Sequence, residues 1–163
     1  MLIREASEED FDQIWDIFHP IAATGETYTY ARDITRGEAY RVWMEMPHRT
    51  FVAEVEGRIL GTYYIKPNQG GGGAHVCNCG YMVAEAARGM GLATGMCEHS
   101  LEVAPKLGYR AMQYNFVVST NVGAIGLWKK LGFEEIGRLP KAFDHPQEGL
   151  VDAVVMYQWL GEG

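Results

Sequence analysis

Three closely spaced glycines, Gly89, Gly91 and Gly95, mark the segment of this chain best suited to bind an anion. They follow a segment typical of a strand, and Gly91 opens a segment with helical spacing of its apolar residues. Glycine at such a junction lets a phosphate approach the backbone, and the first N–H groups of the helix can bind it. By itself this spacing is more typical of a tight strand-to-helix turn that binds nothing, and a phosphate-binding turn is the alternative.

A dinucleotide-binding loop is one alternative for this turn. Its usual glycine spacing is GxGxxG, whereas the third glycine here comes one position late. The next predicted strand, residues 111–118, also carries no Asp or Glu that could bind a ribose hydroxyl. Both departures argue against a dinucleotide cofactor.

The elements that would position this turn follow from the apolar periodicity and from stop signals. Pro20 is expected to end the first helix, and residues 21–33 to form an ordered loop. The order β-α-α-β-β-β-α-β-α-β-β predicts a mixed α/β fold in one domain, residues 1–163. The predicted strands lie at 2–6, 51–55, 58–65, 75–83, 111–118, 133–139 and 151–160. The first helix is predicted to follow an N-cap at Ser7, and the others lie at 35–46, 91–107 and 121–131.

The composition narrows the classes of function. The 163 residues carry a net charge of -7, which disfavours nucleic acid as a partner. No apolar run is long enough to cross a membrane, and the first residues lack the features of a signal peptide. The three cysteines have neither disulfide nor metal spacing, so no metal is expected and a cytoplasmic setting is predicted.

Two segments resemble the signatures of the GNAT N-acetyltransferase superfamily. Residues 88–93, RGMGLA, are similar to R/Q-x-x-G-x-G/A, and Val83 lies five residues before Arg88 as in that family. Residues 121–133 resemble a second signature, N-x-x-A-x-x-L-Y-x-x-x-G-F. The element order also matches, so the resemblance covers nearly the whole chain. It implies the acyl-CoA N-acyltransferase fold, a mostly antiparallel sheet with splayed strands and flanking helices.

The resemblance also implies acetyl-CoA as co-substrate. The backbone of strand four would pair with the pantetheine amides, the turn and helix start would hold the pyrophosphate, and the last helix would line the cofactor. The implied cofactor-binding residues are Met82, Val83, Arg88, Gly89, Met90, Gly91, Leu92, Ala93, Thr94, Asn121, Ala124, Leu127 and Trp128.

Two positions depart from the family pattern. Trp128 stands where many relatives have a tyrosine that protonates the leaving thiolate, and an indole N–H cannot act as an acid at neutral pH. Strand four also lacks the glutamate that serves some relatives as a base. Asn78 and Asn115, on adjacent predicted strands, are candidates to orient the substrate or a water while proximity drives the reaction. They could equally be ordinary buried amides.

The acceptor side is less well marked. Thr27, Tyr28 and Tyr30 lie in the early loop that covers the acceptor in this superfamily, and they could instead be aromatic packing. Glu54 as a water-linked base is less favoured than a solvated strand glutamate. The pair 144–145, Asp-His, is expected to be structural. A cysteine nucleophile is disfavoured because no basic residue adjoins Cys79 or Cys97.

The predicted function is transfer of acetyl from acetyl-CoA to the amine of a small molecule, an amino acid or an analogue. Residues 115–121 resemble a branch that acetylates proline analogues such as azetidine-2-carboxylate, and a phosphinothricin-type branch shares a related loop. The alternatives are a protein N-terminal or lysine acetyltransferase and a non-catalytic acyl-CoA-binding module. A homodimer is possible because many relatives pair.

Overall fold

The computed structural model describes residues 1–161 of the chain. Four helices pack on the two faces of one seven-stranded sheet. The strands are β1 (Leu2–Glu5), β2 (Arg49–Val55), β3 (Arg58–Pro67), β4 (Val76–Val83), β5 (Ala111–Val118), β6 (Glu134–His145) and β7 (Gly149–Trp159). The helices are α1 (Phe11–Thr24), α2 (Arg36–Tyr40, continued by a wider turn to Glu45), α3 (Leu92–Lys106) and α4 (Val122–Lys130).

The sheet order is β1-β2-β3-β4-β5-β7-β6, and only β4 and β5 are parallel. The predicted mixed α/β class and element order are confirmed. No helix within residues 1–161 is long and apolar enough to cross a membrane.

The first helix is longer than predicted, because α1 passes through Pro20 and ends at Thr24. Ala22, one turn beyond the buried Phe18, is itself buried, so the apolar face continues past the proline. Gly25 ends the helix with a φ of 66°, a left-handed conformation that glycine adopts at little cost. The predicted stop at Pro20 is therefore wrong, and the predicted loop of residues 21–33 begins only at Gly25.

The strand β6 also extends beyond its predicted end, to His145 instead of Leu139. It lies at the edge of the sheet, where the missing N–H of Pro140 costs little. Its register with β7 shifts between Leu139 and Phe143, and Lys141 in this stretch has a φ of 53°. An edge strand with a bulge thus replaces the predicted loop.

Two apolar clusters lie on opposite faces of the sheet. One packs α3 and α4 on Cys77, Cys79 and their neighbours, and the other packs α1 and α2 on Met82 and Tyr64. The side chains of β4 alternate between these clusters, as the period of a strand requires. Both faces of the central strands are therefore covered.

Candidate functional site

The parallel strands β4 and β5 pair only at their first residues. Val76 lies opposite Ala111 and Cys77 opposite Met112, and no further pairs join the two strands. On its other edge β5 pairs with β7 from Ala111 to Val118, with a register shift between Tyr114 and Val117. The sheet thus opens from Asn78 onward, and we call this opening the split.

The backbone of β4 offers hydrogen-bonding groups to the split. Even-numbered residues face β3, since Val76 O accepts from Asn68 N and Ala84 N donates to Leu60 O. Odd-numbered residues face β5, as shown by the bond from Arg110 N to His75 O. N–H and C=O groups alternate along a strand, so Tyr81 and Val83 present theirs to the split.

One of the predicted cofactor residues is corrected by this alternation. Met82 lies opposite Thr62 of β3, in a register that runs without a shift. Its backbone groups therefore belong to the β3 ladder, and its side chain is buried in the cluster under α1 and α2. The pair whose backbone faces the split is Tyr81 and Val83, in place of Met82 and Val83.

The predicted phosphate turn lies at the open end of the split. Gly89 and Gly91 have φ values of 80° and 81°, and a Cβ on either would meet no atom within 4 Å. These glycines are therefore required by the turn conformation, and the space beside them is open. The first bond of α3 runs from Gly95 N to Gly91 O. The N–H groups of residues 91–94 are thus available to an anion, whereas those of Arg88 and Met90 donate to Glu85 O and Ala87 O.

A recess of about 260 Å³ lies over this helix start. Its lining includes seven of the predicted cofactor-binding residues: Val83, Arg88, Gly89, Gly91, Leu92, Ala93 and Thr94. Met90, the eighth residue of that stretch, is exposed beside them. This recess fits a diphosphate, because it is open and offers both unpaired N–H groups and the positive end of the helix dipole.

The α4 residues lie apart from that recess. The Asn121 side chain accepts a 3.4 Å hydrogen bond from Ala124 N and so caps α4. Ala124 and Leu127 pack on the cluster under α3 and α4. The predicted contact of Asn121 with the pantetheine arm stays a prediction, and its carbonyl oxygen already has a partner in the cap.

The Trp128 ring packs on two tyrosines that sequence reasoning missed. Its centroid lies 5.1 Å from those of Tyr81 and Tyr114, and the two phenol oxygens are 2.9 Å apart. Ser100 Oγ lies 2.6 Å from the Tyr81 oxygen. Burial raises the pKa of both tyrosines well above the usual value of a phenol. The hydroxyls of Tyr81, Ser100 and Tyr114 thus form one hydrogen-bonded cluster that joins β4 to β5 on the face of the sheet covered by α3.

Asn78 lies at the base of the split, and both its amide oxygen and its amide nitrogen form hydrogen bonds with protein groups. Its Oδ1 accepts from the Tyr64 hydroxyl at 3.0 Å, and its Nδ2 donates to Gln113 O at 2.9 Å. The Tyr64 ring crosses β4 over Gly80, where a Cβ would lie 2.5 Å from Tyr64 Cε2. Asn78 thus ties β3, β4 and β5 together where the strands begin to part.

Asn115 has a different environment. It is exposed, its Nδ2 donates to Asn68 Oδ1 and its Oδ1 accepts from Gln113 Nε2. No contact joins its side chain to that of Asn78. The structure therefore separates the two asparagines that the sequence had grouped.

The segment that carries Thr27, Tyr28 and Tyr30 lies against β4. The Tyr28 hydroxyl donates to the carbonyl oxygen of Tyr81, and Tyr28 stacks on Tyr30 with centroids 5.6 Å apart. Burial raises the pKa of Tyr30 to about 12, so both phenols stay protonated near neutral pH. Thr27 is half-buried and precedes this pair. The segment between α1 and α2 is thus attached to β4 on the face opposite α3.

A second, larger recess lies beside this segment, with a volume of about 640 Å³. One wall comes from the end of α1 and the segment after it, and the other from the turn between β6 and β7. It is lined by Gly25, Arg32, Asp144, His145, Pro146, Gln147 and Gly149. Arg32 was not singled out from the sequence, and no spacing in the sequence links it to the β6–β7 turn.

Other candidates have structural partners. Glu54 forms an ion pair with Arg4 on β1, so this carboxylate is neither freely solvated nor free to act as the less favoured water-linked base. His145 Nδ1 accepts from the N–H groups of Gln147 and Glu148 and so holds the β6–β7 turn. Burial raises the pKa of the Cys79 and Cys97 thiols, which disfavours the thiolate that a nucleophile needs.

Comparison with known proteins gives one consistent result. The profile of the acetyltransferase (GNAT) family matches residues 9–133. A GCN5-related N-acetyltransferase from Kribbella flavida has a similar structure, with 40% identity, a TM-score of 0.93, and coverage of 98% of this chain and 97% of that one.

Two further relatives set the limits of the likeness. N-acetyltransferase aca1 of Schizosaccharomyces pombe is 36% identical over 102 residues, which are 62% of this chain and 48% of the yeast protein. The match thus spans about half of that relative. A phosphinothricin acetyltransferase from Sinorhizobium meliloti, solved with AcCoA, has a TM-score of 0.85 at 21% identity. The match covers 99% of this chain and 89% of that one, and at this identity it shows only a shared fold.

Proposed function

Because this chain belongs to the acetyltransferase (GNAT) family, we propose that it transfers acetyl from acetyl-CoA to the amine of a small molecule, an amino acid or an analogue. The observation that carries the donor assignment is the recess over the start of α3, whose lining matches the residues expected to hold the pyrophosphate. The turn beside it is open at Gly89 and Gly91, so a diphosphate can reach the backbone.

The split would hold the pantetheine arm as an added strand. Backbone N–H and C=O groups of Val83 and the N–H of Tyr81 face this opening and would pair with the two amides of the arm. The thioester would then lie near the base of the split, close to Tyr81. A backbone N–H on β4 there would stabilise the oxyanion that develops on the acetyl carbonyl.

The transfer itself needs few protein groups. The neutral amine nitrogen forms a bond to the acetyl carbonyl carbon, the carbon–sulfur bond breaks, and sulfur leaves with the electron pair. The amine proton passes to water, and the thiolate takes a proton from water. Holding both reactants in one opening supplies much of the rate gain. Asn78 would act as a positioning residue, through Tyr64 and Gln113, and Asn115 would orient substrate or water from β5.

A small-molecule acceptor is supported by the shape of the opposite face. Tyr28 and Tyr30 cover the split there, and the recess beside them is bounded by two short chain segments. Such a site encloses a compact ligand better than a folded protein surface. The free, buried thiols of Cys77, Cys79 and Cys97 suit a reducing, cytoplasmic setting.

The test is release of free CoA by the purified protein from acetyl-CoA with a panel of amino acids, simple amines and N-terminal or lysine peptides. We expect turnover with amino acids and stabilisation against heat by acetyl-CoA but not by NAD(P)H. Turnover with peptides only would indicate a protein acetyltransferase. Stabilisation by acetyl-CoA without turnover on any amine would contradict the catalytic proposal and indicate a binding module.

A further inference from the structure

Arg32 is held in the larger recess by two contacts along its side chain. Its Nε donates to Ala23 O at the end of α1, at 2.8 Å. Its Cδ crosses Gly25 so closely that a Cβ there would lie 2.8 Å away. The glycine that ends α1 thus also makes room for the arginine stem. Both contacts involve the stem and Nε, and no hydrogen bond within the described residues engages the two terminal nitrogens.

Those terminal nitrogens have no anionic partner in the described part of the chain. Among residues 1–161, no carboxylate lies within 4.0 Å of the Arg32 guanidinium or pairs Asp144 with a cation. The two opposite charges therefore line one recess without closing on each other. A planar guanidinium with two free N–H edges matches a carboxylate in a two-point contact.

The opposite wall is held in a defined shape. His145 Nδ1 accepts from two backbone N–H groups at 3.2 Å each, which requires an unprotonated Nδ1 and places the ring proton on Nε2. This contact fixes the turn that carries Asp144. The recess is thus bounded by two anchored segments.

Both walls of the recess are attached to the strands that part at the split. The segment carrying Arg32 is bound to β4 through Tyr28 and Tyr81. The turn carrying Asp144 adjoins Phe143, whose ring lies 6.1 Å from that of Phe116 on β5. Each wall of the recess is therefore tied to one of the two strands that part at the split.

We propose that this recess is the acceptor site and that Arg32 binds the carboxylate of an amino-acid acceptor. The inference rests on the proposed acetyltransferase function and names the group by which the acceptor is recognised. Asp144, within the same recess, disfavours acceptors with two negative charges such as phosphate esters. The substrate class is thus a zwitterionic amino acid that delivers its amine, once neutral, to the split.

The experiment compares each L-amino acid with its carboxamide as acceptor for the whole protein and for Arg32→Gln. We expect the protein to prefer the acid, and Arg32→Gln to lower kcat/KM for the acid about tenfold or more, mainly through KM, with little change for the amide. Arg32→Lys should restore part of the preference. Arg41→Gln is the matched control, since Arg41 is an exposed arginine on the turn after α2, outside both recesses.

A second measurement separates this inference from the proposed function. In the presence of CoA, the melting temperature should rise with the acid and not with its amide, and Arg32→Gln should lose that rise. Such a result without turnover would support the site and contradict the catalytic proposal. Equal use of acid and amide by the unaltered protein, or an equal loss on both in Arg32→Gln, would overturn the role of Arg32.

Discussion

The two sides of the split are built from different kinds of groups. On the donor side, the turn at Gly89 and Gly91 and the start of α3 offer backbone N–H groups within one short segment. On the acceptor side, Arg32 and Asp144 come from segments more than a hundred residues apart, and they act through side chains. In the proposed assignment, donor recognition is therefore local in the sequence, whereas acceptor recognition exists only in the folded chain.

The strongest test of this comparison is Gly91→Trp. The indole would occupy the open cradle and displace the pyrophosphate from the N–H groups of α3. Loss of several charge-assisted hydrogen bonds, about 3 kcal/mol in all, should raise the Kd for acetyl-CoA at least about a hundredfold by calorimetry.

The matched control is Gly108→Trp, at the other end of α3. Gly108 has a φ of 94° and open space around its Cβ position, so the backbone cost of the two changes is similar. Gly108→Trp should keep the affinity for acetyl-CoA. An equal loss of affinity in both variants would show that helix strain, and not the cradle, explains the effect.

A second test uses a glycine that is required for packing and not for a ligand. Gly80→Ala would place a Cβ 2.5 Å from the Tyr64 ring, so the strand or the ring must shift. We expect the free energy of unfolding in urea to fall by about 2 kcal/mol. Gly126→Ala, in α4 with open space, should leave it unchanged or raise it by up to about 1 kcal/mol. An unchanged free energy of unfolding in Gly80→Ala would show that the Tyr64 ring packs loosely against β4.

The same contrast explains what the sequence could predict. The turn at residues 88–93 and the signature at 121–133 have fixed spacings, because a backbone turn and a helix face impose them. The mixed sheet and the order of its elements followed from periodicity. By contrast, Pro20 predicts a stop that the structure does not have, because local propensity does not reflect the burial of Ala22.

Side-chain contacts across distant segments were the part that could not be predicted. Asn78 and Asn115 carry the same amide on neighbouring strands, yet only Asn78 is buried, because β5 parts from β4 beyond Met112. The backbone pair facing the split was placed one residue off, at Met82, because the sequence does not state which parity of β4 faces β3. Arg32 had no signal of its own.

The two asparagines provide the third test. Asn78→Ala leaves the Tyr64 hydroxyl and Gln113 O without their partner, so we expect a loss of about 1.5 kcal/mol in the free energy of unfolding. As a positioning residue at the base of the split, Asn78 should affect kcat more than the Kd for acetyl-CoA. Asn115→Ala, which removes only exposed contacts, should change stability by less than about 0.5 kcal/mol. Equal losses of kcat and affinity in Asn78→Ala would indicate a purely structural amide.

The smallest expected effect is a loss of stability at low pH, caused by protonation of the ion pair that anchors the start of α1. Arg4 binds Asp10, at the start of α1, and Glu54 of β2. The Arg4 hydrogen bonds lower the pKa of Asp10 from 3.8 to about 2. A carboxyl with a lowered folded pKa stabilises the protein fully above its unfolded pKa and loses that stabilisation as the pH falls through its folded pKa. Because Arg4 is about one-third exposed, solvent weakens its interaction with Asp10. We therefore expect the free energy of unfolding to fall by about 1 kcal/mol between pH 5 and pH 2.

Asp10→Asn removes the charge and should abolish this part of the pH dependence, with a lower stability than the unaltered protein at pH 5 and a smaller difference near pH 2. Asp16→Asn, on an exposed part of α1 without an ion pair, is the control. Hydrogen exchange at pH 3 should then show α1 opening more in Asp10→Asn, while the start of α3 exchanges as before. Equal opening of both helices would contradict the comparison, because it would mean that the donor cradle also depends on the side-chain anchors of α1.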